Sequence, residues 1–580
     1  EAVLLAARRV LHGFLSRPVP GADRPSADPD AIAERVAGVR AVIMAMFEDL
    51  PRSEPAVREA VLRQRAPLAL LCGCWLDTVS QPATQPATIA NRLFQHQFVL
   101  RGEGNPRRGL HHLRARALET AGVYLPEIGA TDFMRTAEAL PLTALHGAFY
   151  LSLAKLPANF LPEVVGVHYA VAALGVDDFL LGMPPALPES ELRSVLGGYL
   201  NLAGDRPELG ARVLHAVELA LALELEHAGL LARLAAWRAG RSPELSAHRI
   251  GERAAAGWRR ALALDLPSDV LLRRADVPDD RQFFHRLVNI ENYPNTRGPA
   301  RDHATVVLDI AEEVLFEHGA IGMLTDASWF EYTPEALLAR VDRICRDKLS
   351  DEAAFGPKSV ALGSMIDGAW THRTGTVGRY ARRSDGRLYS MHAEALGRGD
   401  PRGNQIAMTY RLLGGMGIRV PHIRDAAFLD QEDLPEHRYE LAIQQLSLSL
   451  FPDTCHDEIL GFNLGIATLG LGLTRARKLR GLRRHWIDAA GEDTPAPVQC
   501  SPAGQARHAA EIIIDYLDEV AMTCGSGAVR THWRRIWRGY ASFAYLVEQE
   551  PLDLVSDDLA DLIGLPGSGA REQSTISVRR

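Results

Sequence analysis

The stretch SLAKLPANFLPEVVGVHYAVAALG, residues 152–175, returns as SLSLFPDTCHDEILGFNLGIATLG at residues 447–470. Ser152, Pro157, Glu163, Gly166 and Gly175 meet Ser447, Pro452, Glu458, Gly461 and Gly470, each 447 − 152 = 295 positions on. The same offset carries Gly73 and Trp75 to Gly368 and Trp370, and Leu93 to Leu388. It carries Gly102, Gly104 and Pro106 to Gly397, Gly399 and Pro401, and Gly122 and Pro126 to Gly417 and Pro421. One register held over that many Gly, Pro and Trp positions is a tandem duplication. Further on, LHAVELAL around His215 and Glu218 aligns with RHAAEIII around His508 and Glu511, at 508 − 215 = 293. On this reading the copies cover roughly residues 45–240 and 340–545.

Apolar residues recur at three and four spacing in VVGVHYAVAALGV, ARVLHAVELALALELEHAGLLARL and AAEIIIDYLDEVAM, the period of a half-buried helix. Alternating β-branched runs are nearly absent, and clusters such as MPPALP and RGDPRG punctuate helix ends. The predicted fold is therefore all-α, two helical bundles in tandem. Copy one is placed at 1–240, a helical connector at 241–339, copy two at 340–550, and an acidic end with a disordered tail at 551–580.

Composition narrows the function classes. With 47% hydrophobic and 23% charged residues the 580-residue chain reads as globular. The apolar segments near 211–236 and 441–473 are broken by His, Glu, Asp or Gly, short of the roughly 20 apolar residues a membrane helix needs. The opening AVLLAARRVLHGFLSRPVP is amphipathic with no small-residue cleavage site, so no secretory signal is expected. Six scattered cysteines, with Cys72 and Cys74 as C-x-C, read as free thiols of a reducing, cytoplasmic compartment. A net charge of −8 argues against general nucleic-acid binding. The preponderance of Arg over Lys reads as genome base composition. The basic run Arg475, Arg477, Lys478, Arg480, Arg483 and Arg484 is expected to be a solvated face, with docking of an acidic partner as the alternative. His303, Glu312, Glu313, Glu317 and His318 read likewise as solvated helix positions. The chain has no Walker loop, dinucleotide fingerprint, G-x-S-x-G elbow or H-E-x-x-H.

In copy two LYSMHAEALGRGDPRGNQ, LLGGMGIRVP and LSLSLFPDTCHDEILGFNLGIATLG follow one another, ahead of a His-bearing helix. That order resembles the iron-containing redox enzyme family, whose catalytic domain has the heme-oxygenase-like fold. Copy one shares it more weakly. The resemblance implies two tandem heme-oxygenase-like bundles and a diiron oxidase or oxygenase that uses O₂ on small molecules in natural-product, amino-acid-derived pathways. It implies an acidic pair before the Gly-x-Gly turn, a His after it, a helix running from Pro-Glu to a second Glu, and a last helix with His, Asp and His. Such a centre needs about six inward carboxylate and imidazole ligands.

Position by position the pattern is depleted. In copy two the acidic pair is Glu394–Ala395, the His is Gln405, Glu458 stands but the second Glu is Ala467, and His508 is followed by Glu511 and Asp515. In copy one the pair is Val99–Leu100, His111 and His112 come one position late, and the second Glu is Ala172. There Glu163, His215 and Glu218 stand, with Glu224, Glu226 and His227 further along. His and Glu at i and i+3 share one helix face and could reach one metal; equally, a Glu at a helix start can serve the macrodipole and a His–Glu pair can be a hydrogen-bonded core pair. The candidate iron ligands are thus Glu394, Glu458, His508, Glu511 and Asp515, with Glu163, His215 and Glu218.

Two functions follow as expectations. One is a divergent iron-dependent oxidoreductase using O₂ on a small-molecule substrate. The other is a non-catalytic pseudo-oxidase whose bundles hold a partner biosynthetic enzyme, a carrier or a small ligand. In either case a monomer acting as its own pseudo-dimer, or a homodimer, is expected.

Overall fold

A computed structural model describes residues 2–17, 28–241, 246–261, 279–318, 332–348, 362–363, 365–415, 419–431, 439–469 and 502–549. Among these residues every regular element is helical, and the sole extended pairing is an isolated bridge between Leu396 and Asn404. The all-α class is as the periodicity indicates. The basic run 475–484 and the C-terminal tail lie outside the described residues.

The chain divides into two compact units that do not follow the repeat. The first comprises Glu1–Ala304, Met365–Asp430 and Ile443–His456; the second comprises Thr305–Ser364, Gln431–Ala442 and Asp457–Arg580.

In the first unit the helices run α1 (Ala2–Leu15), α2 (Pro29–Met46), α3 (Pro55–Leu71), α4 (Thr88–Leu100), α5 (Leu110–Thr120), α6 (Phe133–Thr136), α7 (Pro141–Lys155), α8 (Leu161–Leu174), α9 (Val176–Leu181), α10 (Glu189–Leu202), α11 (Pro207–Arg238) and α12 (Ala247–Ala261). Proline in the first turn starts α2, α3, α7, α8 and α11, where its missing N–H has no intrahelical role. Helix α8 ends at Gly175, left-handed at φ 58°. The apolar stretch Leu161–Leu181 is long enough to cross a membrane, but it is mostly buried within the protein. Helices α8 and α11 touch closely because of Gly166: a Cβ there would stand 2.5 Å from the Val213 carbonyl oxygen.

The repeat is visible in the backbone. Gly73 and Gly368 both take left-handed φ, 83° and 78°, just before their buried tryptophans Trp75 and Trp370. The turns Gly102-Glu103-Gly104 and Gly397-Arg398-Gly399 repeat one left-handed run, with φ 70°, 55°, 86° against 64°, 53°, 92°. Their contacts are reciprocal within the first unit. A Cβ on Gly104 would meet Ser390 and the Gly386 carbonyl at 2.8 and 3.0 Å; one on Gly399 would meet Gln95 and the Asn91 carbonyl at 2.4 and 2.9 Å. Since 386 − 91 = 295 and 390 − 95 = 295, each turn docks on the counterpart of the other's partner. Phe94 and Tyr389 are themselves counterparts (389 − 94 = 295), and their rings meet edge to face at 5.8 Å. A pair of equivalent residues in contact marks a local two-fold relation between the repeated segments.

In the second unit the helix His456–Leu469 pairs with Ser526–Gln549 as α8 pairs with α11. Gly461 faces Ile536 and Tyr540 where Gly166 faces Val213 and Val217. The offset here is 536 − 213 = 540 − 217 = 323. This corrects the 293 register of the last helix. Pro502–Cys524, which carries His508 and Glu511, precedes the closing helix and holds the place in chain order of α10. The similarity of HAVE and HAAE misled because amphipathic helices share one apolar period whatever their place in the fold.

Candidate functional site

The closing helices decide what the family-like carboxylates do. Arg212 on α11 grips Glu163 with two hydrogen bonds, 2.7 Å from Nε and 2.6 Å from Nη2. Arg535 grips Glu458 in the same way, at 2.9 and 2.8 Å. Since 535 − 212 = 323, the two arginines are counterparts in the corrected register. Both carboxylates are buried, and a guanidinium fork matches a carboxylate edge with two parallel bonds. Each copy therefore closes its Glu with a cation of its own.

The other candidate ligands are drawn to separate partners. His215 Nε2 bonds the Leu15 carbonyl at 2.9 Å, which makes that nitrogen a donor. Glu218 accepts both Arg35 donors at 3.1 and 3.2 Å. Glu394 faces Arg398 at 3.4 Å, and Glu511 faces Arg507 at 3.6 Å. His508 and Asp515 stand on Pro502–Cys524, whereas Glu458 is held from Ser526–Gln549. Among the described residues no three His, Cys, Asp or Glu side chains gather to hold a metal ion. The fit to a diiron centre fails on donor chemistry, because Glu163, Glu218 and Glu458 already present both oxygens to arginine. Glu312, read from the sequence as a solvated helix position, pairs with Arg534 at 2.6 Å.

The interior of the first unit holds a polar centre that the sequence reading touched only at Glu224 and His227. The break at Gly175 restarts the chain as α9 with Asp177 and Asp178 in its first turn, where the helix dipole favours carboxylates. Arg65 on α3 lies between Asp177 at 2.5 Å and Glu224 at 2.8 Å. Arg114 on α5 binds Asp177 at 3.1 Å and Asp178 at 2.6 Å. Tyr150 donates to Glu224 at 2.8 Å. His227 Nδ1 stands 3.3 Å from Arg65, which only donates, so that nitrogen accepts and Nε2–H donates to Thr143 at 3.1 Å. Burial raises the Asp177 carboxyl, but Arg65 and Arg114 outweigh it and hold the group below the usual range. Burial pushes the Cys72 thiol beside this centre up to about 11, which removes it as a nucleophile near neutral pH.

A second chain leads outward. Trp75 Nε1–H donates to His168 Nδ1 at 3.3 Å, and His168 Nε2–H then donates to His96 Nδ1 at 2.9 Å. His96 Nε2 ends 3.8 Å from Glu191, whose side chain is half exposed. Since indole only donates, Trp75 fixes both tautomers.

No protein-family model matches this chain, and neither does a curated protein or a solved structure. What stands is an all-α protein built from a duplicated unit. Glu224 and His227 carried a legible signal, as polar residues on the apolar face of ARVLHAVELALALELEHAGLLARL. Arg65 and Arg114 carried none, because one buried arginine looks like any other in an arginine-rich sequence.

Two measurements check the electrostatics. Arg65→Met strands Glu224 without a cation and leaves Asp177 to Arg114 alone, and the loss of stability expected is about 3–5 kcal/mol, the range for breaking a buried pair; Arg65→Lys should recover part of it. A neutral Arg65→Met in urea titration would contradict this account. Burial also lowers His96, His111, His146, His303 and His392 to about 4, and His168, His227 and His372 lie well below their usual value. Unfolded histidines take protons near pH 6.5, so falling pH favours unfolding from there down to about 4. The raised carboxyls of Asp77, Asp178, Glu291 and Asp385 act in the opposite sense, but they are fewer. The urea midpoint should fall steeply from pH 6.5 to 4.5; a flat profile would show that these rings titrate normally.

Proposed function

We propose that this chain is a non-catalytic pseudo-oxidase, a duplicated helical scaffold that binds a partner enzyme, a carrier or a small ligand. The observation that carries it is the pair of counterpart clamps, Arg212 on Glu163 and Arg535 on Glu458. A buried carboxylate that must bind iron cannot also give both oxygens to a guanidinium fork without losing one or the other. That both copies make the same exchange favours an arrangement kept for its shape and internal charge balance over a damaged active site. The reciprocal docking of the two Gly-x-Gly turns supports a chain acting as its own dimer.

The alternative, a divergent iron-dependent oxidase, rests on the sequence resemblance alone. Anaerobic loading with Fe(II), desalting and elemental analysis separates the two. Iron far below one atom per chain, with no O₂-dependent absorbance change, is expected. Stoichiometric iron with an oxygen-dependent chromophore would overturn the proposal.

A further inference from the structure

The two-fold relation of the first unit gives one hollow an equivalent place on the other side of the contact, and the chain treats the two differently. One is a cavity of about 20 Å³ lined by Arg101, His111, Arg379, Tyr380, Asp385 and Tyr389 around Gly109 and Gly386. The 295 offset maps these onto Leu396, Ile406, Thr84, Gln85, Ala90 and Phe94, around Asn404 and Asn91. At that second place the glycines have become asparagines, and Asn404 Nδ2 bonds Gln85 Oε1 and Asn91 Oδ1, both at 2.8 Å. The charged residues have become apolar or neutral, and all are buried. Side chains fill the second place; the first is open and polar.

Several polar atoms around the open hollow lack partners: Arg101 Nε and Nη1, Arg379 Nε, Tyr389 Oη and Asp385 Oδ2. Their residues are 8%, 3%, 1% and 1% exposed. The neighbouring Asp77 is already saturated by Arg101, Tyr380 and the Val377 amide. Three nitrogens that can only donate, Arg101 Nε and Nη1 and Arg379 Nε, thus surround the space with the Tyr389 hydroxyl, which can donate or accept, and one free carboxylate oxygen. A water molecule brings two hydrogens that need acceptors and takes only about two bonds, whereas a halide accepts from every side. The volume admits one ligand slightly larger than water, which needs about 10–15 Å³. Burial pushes the Asp385 carboxyl up despite Arg379.

We infer that this cavity is a binding site for a single small monovalent anion of halide size, held by Arg101, Arg379 and Tyr389. The inference stands apart from whether the chain binds iron. The counterpart hollow supplies the variants: Tyr389→Phe installs the ring found at Phe94, and Gly109→Asn installs the plug found at Asn404. The test combines bromide soaks of the full-length protein with thermal unfolding in sodium chloride against sodium gluconate at equal ionic strength. An anomalous bromide peak beside Tyr389 Oη and Arg101 is expected, with a melting temperature that rises with chloride in the native chain. That rise should shrink in Tyr389→Phe and vanish in Gly109→Asn. Water alone in the cavity at high bromide would overturn the inference. So would a bromide peak with no chloride effect in solution, or a chloride effect unchanged by Tyr389→Phe.

Discussion

The mutual seating of two Gly-x-Gly turns organises the first unit. Gly104 sits where a Cβ would strike Ser390, and Gly399 where it would strike Gln95, so neither turn accepts a side chain at its point of contact. Their left-handed φ values of 86° and 92° add a backbone cost for any other residue. Steric exclusion from both sides fixes how residues 91–104 lie on 386–399, and the Phe94–Tyr389 pair fixes the centre of the contact. The compact units cut across the repeat for this reason. Residues 365–430 of the second copy bury their surface with the first copy.

Duplication permits divergence without loss of the frame. Glycine positions that set the backbone are shared, while the side chains around them differ. At the hollows beside the contact, Asn404 and Asn91 fill one place while Gly109 and Gly386 leave the other open. At the helix pairs the reverse holds, and Arg212 and Arg535 take the same part in both copies. Conformation is therefore kept by glycine and sterics, and the clamp on Glu163 and Glu458 by arginine, while other side chains diverge.

How far the sequence could be read follows the same division. Gly, Pro and Trp spacing revealed the duplication and its 295 register, because those residues act locally through backbone geometry. The helical class was legible from periodicity. The last helix was assigned to Pro502–Cys524 when it is Ser526–Gln549, since apolar period alone does not say where a helix packs. Glu163 and Glu458 were picked out, but their partners Arg212 and Arg535 were not, because an ion pair between helices leaves no spacing in the sequence. The joining of Glu224 to Arg65, Arg114 and Asp177 was missed for that reason, the members being up to 159 positions apart.

The central claim is that the first copy depends on the turn and helix contributed by the second. Urea unfolding of residues 1–304 expressed alone, followed by near-ultraviolet circular dichroism, tests it most directly. The account requires a clear loss of midpoint and cooperativity relative to the same region in the whole chain, with recovery when residues 365–430 are joined back. A fragment that unfolds as sharply, and at the same urea concentration, as it does within the full protein would contradict it.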